Sequence, residues 1–479
     1  MTILPLNPTQ NASPEALGGF FALCRDAARK DRRAKLVSIT VTVDALDPLA
    51  VLESIYEPNE LHFYSENPRL ETAVAGSDAV VLHESSGPAR FADVQRFIDR
   101  TLEHTLAVGE VTAPMGGPHF FTSFSFHDEV EPGEPFPSAR VFVPRWQVAR
   151  TGESTTAVAN LLVSPDTDLA ALTERVLRAH RKFSAFEYPN AASVPIRAEA
   201  VPFSSGQVRE VGDYRAAVMR GLELIRSGEL RKIVLARAQQ ITTANPVHPL
   251  RVLNDLRQRF PDCYAFSVGD GAARSFIGAS PERLVRVSRG HLETEALAGS
   301  SRRGATASED ASLAGALLRS EKDLREHKLV LDSIARRLQP LGVEVDTTAK
   351  PGLRRLANVQ HLSTPVYATL PPAVRLLDAL AVLHPTPAVG GTPRARAVER
   401  IREIEAVPRG LYAGALGWVN SRGGGEFFVG IRSALIEGGV ARVFAGAGIV
   451  AGSTPDQEFA ETELKFKALL EALRQGNAH

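Results

Sequence analysis

Apolar and polar residues alternate along several segments of this 479-residue chain, and such alternation predicts half-buried β-strands. The clearest segments are LVSITVTVDAL at 36–46, HFFTSFSF at 119–126 and KIVLARAQQITT at 232–243. Elsewhere an apolar residue recurs every three or four positions, which predicts amphipathic helices. Those helices are expected at 91–108, 214–230, 310–340 and about 455–475. Strand runs interrupted by a few long helices are typical of an α+β fold with large antiparallel sheets.

The predicted C-terminal helix has a clear beginning and one apolar face. Thr454 can cap it, Pro455 suits its first position, and Gln457 can reach back to the cap. At 100° per residue the apolar side chains form one narrow stripe that should be buried. The stripe contains Phe459, Phe466, Leu470 and Leu473.

Acidic residues beside that stripe allow two interpretations. Glu458, Glu461 and Lys465 share one arc of the helix, so the two carboxylates could hold a divalent cation next to the buried face. The alternative is a solvated face with an ordinary Glu–Lys pair. Glu326, in the helix predicted at 310–340, offers a further carboxylate, and convergence of Glu326 with Glu461 would give Mg²⁺ hard oxygen ligands.

Composition narrows the class of protein. Lys and Arg number 55 and Asp and Glu number 55, so the formal charge is zero, and 44% of the residues are hydrophobic. That hydrophobic content excludes intrinsic disorder. The charge balance argues against a dedicated nucleic-acid or acidic-membrane binder, since such proteins normally carry a basic excess. The composition therefore favours an enzyme or a binding protein that acts on a small molecule.

Two cysteines in no metal-binding spacing make a disulfide framework or a cysteine zinc site improbable. The first residues show no signal-peptide pattern, and no apolar run reaches the length of a membrane span, so we expect a cytoplasmic protein. The stretch 185–210 is rich in Pro, Ser and Ala and is the best candidate for an internal boundary. It separates a variable half, 1–200, from a half dense in polar motifs, 205–475.

Six segments of the second half, in this order, resemble the chorismate-utilising enzymes and, within them, isochorismate synthase. They are KIVLAR at 232–237, GASPER at 278–283, TEALAGS at 294–300, SEKDLREH at 320–327, LHPTPAVGG at 383–391, and AGAG at 445–448 followed by Glu458, Glu461 and Lys465. The resemblance implies one α+β fold over 1–479, like that of anthranilate synthase component I. Two large antiparallel sheets would pack as a sandwich with helices outside.

The resemblance also implies a reaction and two catalytic residues. Isochorismate synthases add water at ring C2 of chorismate while the C4 hydroxyl departs, which requires a base and an acid. By resemblance Lys232 is the base and Glu282 is the acid. Burial would favour the neutral form of each group, as this chemistry needs. Without the resemblance, Lys232 would be read as a strand-edge charge that discourages aggregation.

Chorismate is a dianion, so the site must be locally positive. By resemblance Mg²⁺, held by Glu326 and Glu461 with Glu458 assisting directly or through water, takes the ring carboxylate. The remaining substrate-binding residues implied in this way are Gly299, Ser300, His361, Tyr412, Arg432, Gly446, Gly448 and Lys465. Arg432 and Tyr412 would hold the enolpyruvyl carboxylate, and the two glycines would allow close backbone approach. The alternatives are a structural Arg–carboxylate pair for Arg432 and a satisfied core residue for His361.

Two positions sort the chain within the family. Aminating members generally lack the lysine present here as Lys232, and they and the salicylate synthases usually carry Thr at the position of Ala388. Both residues indicate an isochorismate synthase that needs no amidotransferase subunit. The N-terminal half favours the menaquinone branch, with siderophore or salicylate biosynthesis as the alternative. An anthranilate or salicylate synthase-type enzyme, and a catalytically idle chorismate-binding protein, also stay open.

Overall fold

The computed structural model describes residues 1–4, 13–184, 207–356 and 359–476. Its strands are β1 Thr2–Ile3, β2 Lys35–Val43, β3 His62–Asn67, β4 Thr72–Ser85, β5 Thr105–Gly109, β6 His119–Phe124, β7 Ala139–Thr151, β8 Ser154–Val163, β9 Gln207–Val211, β10 Lys232–Thr242, β11 Tyr264–Gly269, β12 Arg274–Ser280, β13 Arg283–Ser288, β14 His291–Arg302, β15 Gly352–Arg355, β16 Val359–Thr369, β17 Gly391–Thr392, β18 Ala415–Asn420, β19 Gly425–Val429, β20 Ser433–Glu437 and β21 Val440–Val450. Its helices are α1 Pro14–Asp31, α2 Pro48–Ser54, α3 Arg90–Glu103, α4 Leu169–Ser184, α5 Tyr214–Arg226, α6 Pro249–Arg259, α7 Ala307–Arg319, α8 Glu321–Leu338, α9 Leu376–Leu383, α10 Arg394–Ile404 and α11 Pro455–Gly476.

The strands form two sheets that share strand β7. In the first sheet the order is β1-β5-β2-β8-β7-β4-β3-β11-β12-β20-β21-β10, with β9 and β17 on the far side of β10. The second sheet leaves the opening residues of β7 and runs β6-β18-β19-β13-β14-β16-β15. Only β5 makes parallel pairs in the described ranges, with β1 and β2. The predicted α+β fold with two large antiparallel sheets is confirmed, and hydrogen bonds join the sheets at β7.

Aromatic side chains fill the space between the two sheets. Phe63 of the first sheet stacks on Phe121 of the second with ring centroids 4.7 Å apart. Phe266 and Phe428 meet across the same interface at 5.2 Å. All four rings are fully buried, so each removes a large apolar surface from water. The alternating apolar positions therefore define the inner faces of a sandwich.

Both halves of the chain contribute to both sheets. Strand β3 pairs with β11 in the first sheet, and β6 pairs with β18 in the second. The boundary predicted at 185–210 falls largely on 185–206, which lie outside the described residues. Strands that precede this segment in the chain therefore pair directly with strands that follow it.

Two predicted helices differ from the structure. The helix expected over 310–340 is two helices, α7 and α8, because Ser320 has an extended backbone and caps α8 by accepting a hydrogen bond from the Asp323 amide. The helix expected over 91–108 ends at Glu103, and the following TLAVG segment forms β5 because it pairs with β2. Tertiary pairing overrides the helical pattern there.

Helices cover the outer faces of the sandwich, and α11 lies where its sequence predicts. Helix α11 begins at Pro455, and Phe466 and Leu473 of its stripe are buried against α6 and the outer face of the first sheet. Phe459 and Leu470 are partly buried. Among the described residues no helix is both long and apolar enough to cross a bilayer.

A buried ion pair connects the end of helix α10 to strand β10 of the first sheet. Arg409 donates two hydrogen bonds to the carboxylate of Glu405, at 2.6 and 2.8 Å, and the two side chains are 1% and 4% exposed. The same guanidinium donates to the carbonyls of Val234 and Val389, and Glu405 accepts from the amide of Ala236. This cluster, called the Arg409 anchor below, fixes β10 against the segment 384–391.

Replacing Arg409 with methionine should lower the free energy of unfolding by about 3–5 kcal/mol, because it leaves Glu405 buried without its counter-charge. Chemical denaturation would measure the loss. The matched control is Arg178→Ala, which removes an ion pair to Glu174 whose side chains are 65% and 68% exposed, so its effect should stay within about 1 kcal/mol. Equal stabilities of the two variants would contradict the role of the anchor.

Candidate active site

Lys232 begins β10 and lies inside the first sheet. Strand β10 pairs with β21 along its whole length, and at Lys232 it also pairs with β17. The Lys232 side chain, 19% exposed, lies over Gly448, where a β-carbon would come within 3.0 Å of its Cε. The alternative of a strand-edge charge is therefore wrong, since Lys232 has strands on both sides. Glycine at 448 leaves room for the lysine chain.

The ammonium group of Lys232 faces helix α8. Its Nζ lies 3.4 Å from Oε1 of Glu326, which stands on the second turn of that helix. The capped start of α8 thus brings a carboxylate to the lysine from a different layer of the fold. Lys232 and Glu326, assigned different roles by resemblance, are direct neighbours.

Glu282 follows β12 in the SPE segment and is the second titratable group of the site. Its Oε1 accepts a hydrogen bond from the hydroxyl of Thr386 at 3.2 Å. Burial raises the pKa of Glu282 to about 7, and the nearby charge of Glu295 acts in the same direction. The hydrogen bond from Thr386 and the charge of Lys232 partly oppose this rise in pKa. Lys232 and Glu282 are therefore within electrostatic range of each other.

The segment 384–391 closes one side of the site. Its end joins β10 through β17 and through a hydrogen bond from the Val234 amide to the Gly390 carbonyl at 2.8 Å. At Gly391 a β-carbon would lie 2.4 Å from the Lys232 carbonyl, so no larger residue fits. Ala388 occupies the turn of this segment, half-buried, two residues after Thr386.

Tyr412 and Lys465 meet at the backbone of β21. The ring of Tyr412 stacks on Phe444 with centroids 5.2 Å apart, and its hydroxyl lies 2.8 Å from where a β-carbon of residue 446 would be. Lys465 of α11 donates to the Gly446 carbonyl at 2.8 Å and pairs with Glu461 at the same distance. Glycine at 446 is thus required by the close approach of Tyr412.

His361 and Ser300 face each other across β16 and β14. His361 Nδ1 lies 2.8 Å from the Ser300 hydroxyl, next to a bulge at which Gly299 has φ +74°. Burial lowers the pKa of His361 to about 4, with further lowering by the charges of Arg432, Arg354 and Lys465. The imidazole is therefore neutral near pH 7. It is hydrogen-bonded, as the core alternative requires, and it also lies within range of the cations of the site.

Arg432 carries a positive charge without a carboxylate partner in the described ranges. It has the left-handed φ of +50°, and its carbonyl accepts from the amide of Ala279 near the end of β12. Its guanidinium makes a long contact of 4.0 Å with the Cys263 sulfur, and none of the ion pairs of the described residues includes it. Burial lowers its pKa, which is the cost of holding a desolvated charge. The structural Arg–carboxylate pair is therefore not observed.

The three predicted metal ligands do not form one cluster. No group of three His, Cys, Asp or Glu side chains in the described ranges is placed to hold a metal ion. Glu461 pairs with Lys465 and Glu326 pairs with Lys232. Burial and then the charge of Glu461 raise the pKa of Glu458, while Lys465 and Lys322 of α8 lower it. The hard carboxylate oxygens fit Mg²⁺ chemically, and a cation beside Glu458 and Glu461 would relieve their repulsion.

Comparison with known proteins identifies the family. Residues 22–474 match the family described as chorismate binding enzyme. The chain belongs to this family.

Two chorismate-binding relatives align over nearly their whole length. The salicylate biosynthesis isochorismate synthase of Pseudomonas aeruginosa is 37% identical over 96% of this chain and 94% of its own. The isochorismate synthase MenF of Bacillus subtilis is 32% identical over 93% and 95%. Among solved structures, the menaquinone-specific isochorismate synthase MenF of Escherichia coli has a TM-score of 0.75 and 26% identity, covering 94% of this chain and 99% of its own.

The anthranilate synthase component I of Streptococcus pneumoniae shares the fold, with a TM-score of 0.68 at 23% identity, covering 83% of this chain and 92% of its own. This likeness confirms the predicted fold class and carries no statement about activity.

Sequence reasoning missed several residues of this candidate site. Thr386 and Glu295 stand inside the quoted segments, so their position was a usable signal. Arg354, which forms a buried ion pair with Glu295, lies outside every segment, as does Tyr214, whose ring lies near Glu458 and Glu461. Only the packing of β15 and α5 brings those two residues to the site.

The raised pKa of Glu282 predicts a pH-dependent stability difference. Above pH 7 the folded chain holds an unfavourable carboxylate, whereas below about pH 4 the carboxyl is neutral in both folded and unfolded states. Glutamine cannot ionise, so the stability of Glu282→Gln relative to the unchanged protein should be about 2–3 kcal/mol more favourable at pH 8 than at pH 4. Denaturation at the two pH values measures this difference. A difference that is constant with pH would contradict the raised pKa.

Proposed function

We propose that this chain is an isochorismate synthase, which converts chorismate to isochorismate by adding water at ring C2 with loss of the C4 hydroxyl. The observation that carries the proposal is that Lys232 and Glu282 lie within electrostatic range of each other, in a site whose Arg432 guanidinium has no carboxylate partner among the described residues. The two relatives that align over more than 90% of both chains bear the same activity in their names. The product of the reaction has the composition of the substrate, so the enzyme is an isomerase.

Lys232 is the proposed base. In its unprotonated form Nζ accepts a proton from the water that attacks C2, and the new C–O bond forms as that proton leaves. The lysine chain lies over Gly448 and its Nζ lies 3.4 Å from Oε1 of Glu326, so Nζ has a restricted position. Such confinement supports the geometry that proton transfer needs.

Glu282 is the proposed acid. With its pKa near 7 a large fraction of the carboxyl is protonated at neutral pH, so it can donate to the departing C4 oxygen. An exposed glutamate would be ionised at that pH and could not donate. The burial that raises the pKa of this group is therefore part of the proposed chemistry.

The two carboxylates of chorismate are assigned to two sides of the pocket. Arg432 suits the enolpyruvyl carboxylate because its fork has no carboxylate partner in the described part of the protein, and Tyr412 adds a hydroxyl beside Gly446. The proposed space for the ring carboxylate is on the other side. It is lined by His361, Ser300, Gly299, Lys465 and the backbone at Gly448. Together these groups would give the pocket its local positive character.

Mg²⁺ is the proposed cofactor. Glu461 and Glu326 would hold it, with Glu458 assisting directly or through water. When bound, the ion supplies positive charge to the ring carboxylate of the substrate. Residues of the chain itself carry out the proton transfers.

Lys232 and Ala388 support the hydroxyl-transferring branch over anthranilate and salicylate synthase-type activities, and no amidotransferase subunit is expected. For the pathway we propose menaquinone biosynthesis, which is supported by the resemblance to MenF proteins over more than 90% of the chain. Salicylate or siderophore biosynthesis is the second candidate, favoured by the 37% identity to the Pseudomonas aeruginosa protein. A cytoplasmic location remains our expectation.

Incubation of the purified protein with chorismate and Mg²⁺ should yield isochorismate as the main product, identified by chromatography and mass spectrometry. Lys232→Ala and Glu282→Gln should each lower kcat by at least roughly 100-fold, the usual contribution of a general acid or base. Circular dichroism of both variants should match that of the unchanged protein. The Arg178→Ala variant on the exposed face of α4 is the activity control.

Salicylate and pyruvate as main products, or anthranilate on addition of ammonia, would overturn the proposed activity. Binding of chorismate without any turnover would instead favour a catalytically idle binder. Full activity of Lys232→Ala would remove only the assignment of the base.

Divalent-cation binding provides a test of the proposed ligands that does not depend on activity. Electron paramagnetic resonance of Mn²⁺ should show one site, and Glu461→Gln should weaken it by roughly ten-fold or more because one charged oxygen ligand is lost. Glu399→Gln, which alters an exposed pair with Arg396 on α10, is the matched control. Unchanged Mn²⁺ affinity in Glu461→Gln would exclude that residue as a ligand.

A further inference from the structure

We propose that Thr386 is a positioning residue for Glu282: its hydroxyl holds one carboxyl oxygen, so that the transferable proton resides on the other oxygen and faces the substrate. This inference rests on the proposed role of Glu282 as the acid. It assigns a role to the threonine of the PTPAVGG segment, 385–391.

The hydrogen bond defines which oxygen carries the proton. Thr386 Oγ1 donates to Oε1 of Glu282 at 3.2 Å. A protonated carboxyl group has one O–H donor and keeps acceptor capacity on its other oxygen. Since Oε1 accepts from the threonine, the acidic proton of Glu282 belongs on Oε2. Because the proton is fixed on Oε2, the carboxyl group of Glu282 does not have to rotate before it donates.

Thr386 can perform this task because its main chain is held on both sides. Its carbonyl accepts from the amides of Val389 and Gly390, which closes a tight turn. Arg337 of α8 donates to the carbonyls of Leu383 and Pro385 immediately before it, at 2.9 Å each. A β-branched side chain also has few χ1 rotamers, so the hydroxyl direction is nearly fixed once the backbone is fixed.

The same segment is tied to the strand of the proposed base. Arg409 donates to the Val389 carbonyl at 2.8 Å and to the Val234 carbonyl at 2.7 Å. One guanidinium therefore sets the spacing between Thr386, which orients the acid, and Lys232, two residues before Val234. Acid and base are held in register by a group that touches neither of them.

The test compares Thr386→Val, which keeps the shape and removes the hydroxyl, with Thr386→Ser, which keeps the hydroxyl. In the valine variant kcat for chorismate should fall roughly 10-fold, the value of one hydrogen bond to a catalytic group, with KM within about two-fold. The threonine hydrogen bond lowers the pKa of Glu282. Its removal should therefore move the basic limb of the kcat–pH profile to higher pH. Thr386→Ser should restore most of kcat and return the basic limb of the profile to the pH of the unchanged protein.

Thr156→Val is the matched control. Its hydroxyl is buried in β8 and donates to the Pro114 carbonyl at 2.8 Å, far along the chain from the site. Loss of that bond should affect stability and leave both kcat and the pH limb unchanged.

Three outcomes decide the inference. A valine variant with unchanged kcat and an unmoved limb overturns it while leaving the proposed acid intact, provided Glu282→Gln is inactive. Equal losses in the valine and serine variants with an unmoved limb show a purely structural role and also overturn it. Full activity of Glu282→Gln removes the acid assignment and this inference together.

Discussion

The geometry of the site depends on the buried pair of Arg409 and Glu405. Its hydrogen bonds reach the backbone of β10 at Val234 and Ala236 and the backbone of the segment 384–391 at Val389. A buried ion pair seldom adds much net stability, because desolvation of both charges offsets their attraction. What this pair supplies is position: four hydrogen bonds leave one planar guanidinium, two to Glu405 and one to each of the two backbone segments, which are thereby held at a set separation. Lys232 and Thr386 are placed by this pair, because it fixes the backbone segments to which they belong.

The site also shows how a chain of zero net charge can present a local positive charge. Arg432 is held in a left-handed backbone conformation beside the SPE segment, with its guanidinium away from every carboxylate in the described ranges. Desolvation of such a group costs free energy that a bound carboxylate would recover. Arg354, by contrast, is satisfied internally by Glu295. The positive potential is therefore local, and it comes from Arg432 and not from the overall composition.

Much of this arrangement could be predicted from sequence, and the rest had a physical reason to be missed. Alternating residues gave β2, β6 and β10, and the apolar stripe gave α11. The break at Ser320 was missed because a capping serine inside a long amphipathic pattern also reads as an ordinary helical residue. Two of the six segments contain Lys232 and Glu282, whereas Arg432 lies outside all six and was implied by the family resemblance. Contacts between distant segments, such as Lys232 with Glu326, depend on how α8 packs against the sheets, which local patterns do not encode.

The lysine–glutamate ion pairs provide a further physical argument for the proposed Mg²⁺. Three cations and three carboxylates of the site nearly balance in formal charge. They are Lys232, Lys465 and Arg432, and Glu326, Glu458 and Glu461. A dianionic substrate entering a balanced pocket would have to compete with Glu326 and Glu461 for the two lysines. A divalent cation taking those carboxylates would balance the two substrate charges and release the lysines, one to line the pocket and the other to act as base. The ion pairs and the proposed metal ion are thus parts of one charge balance.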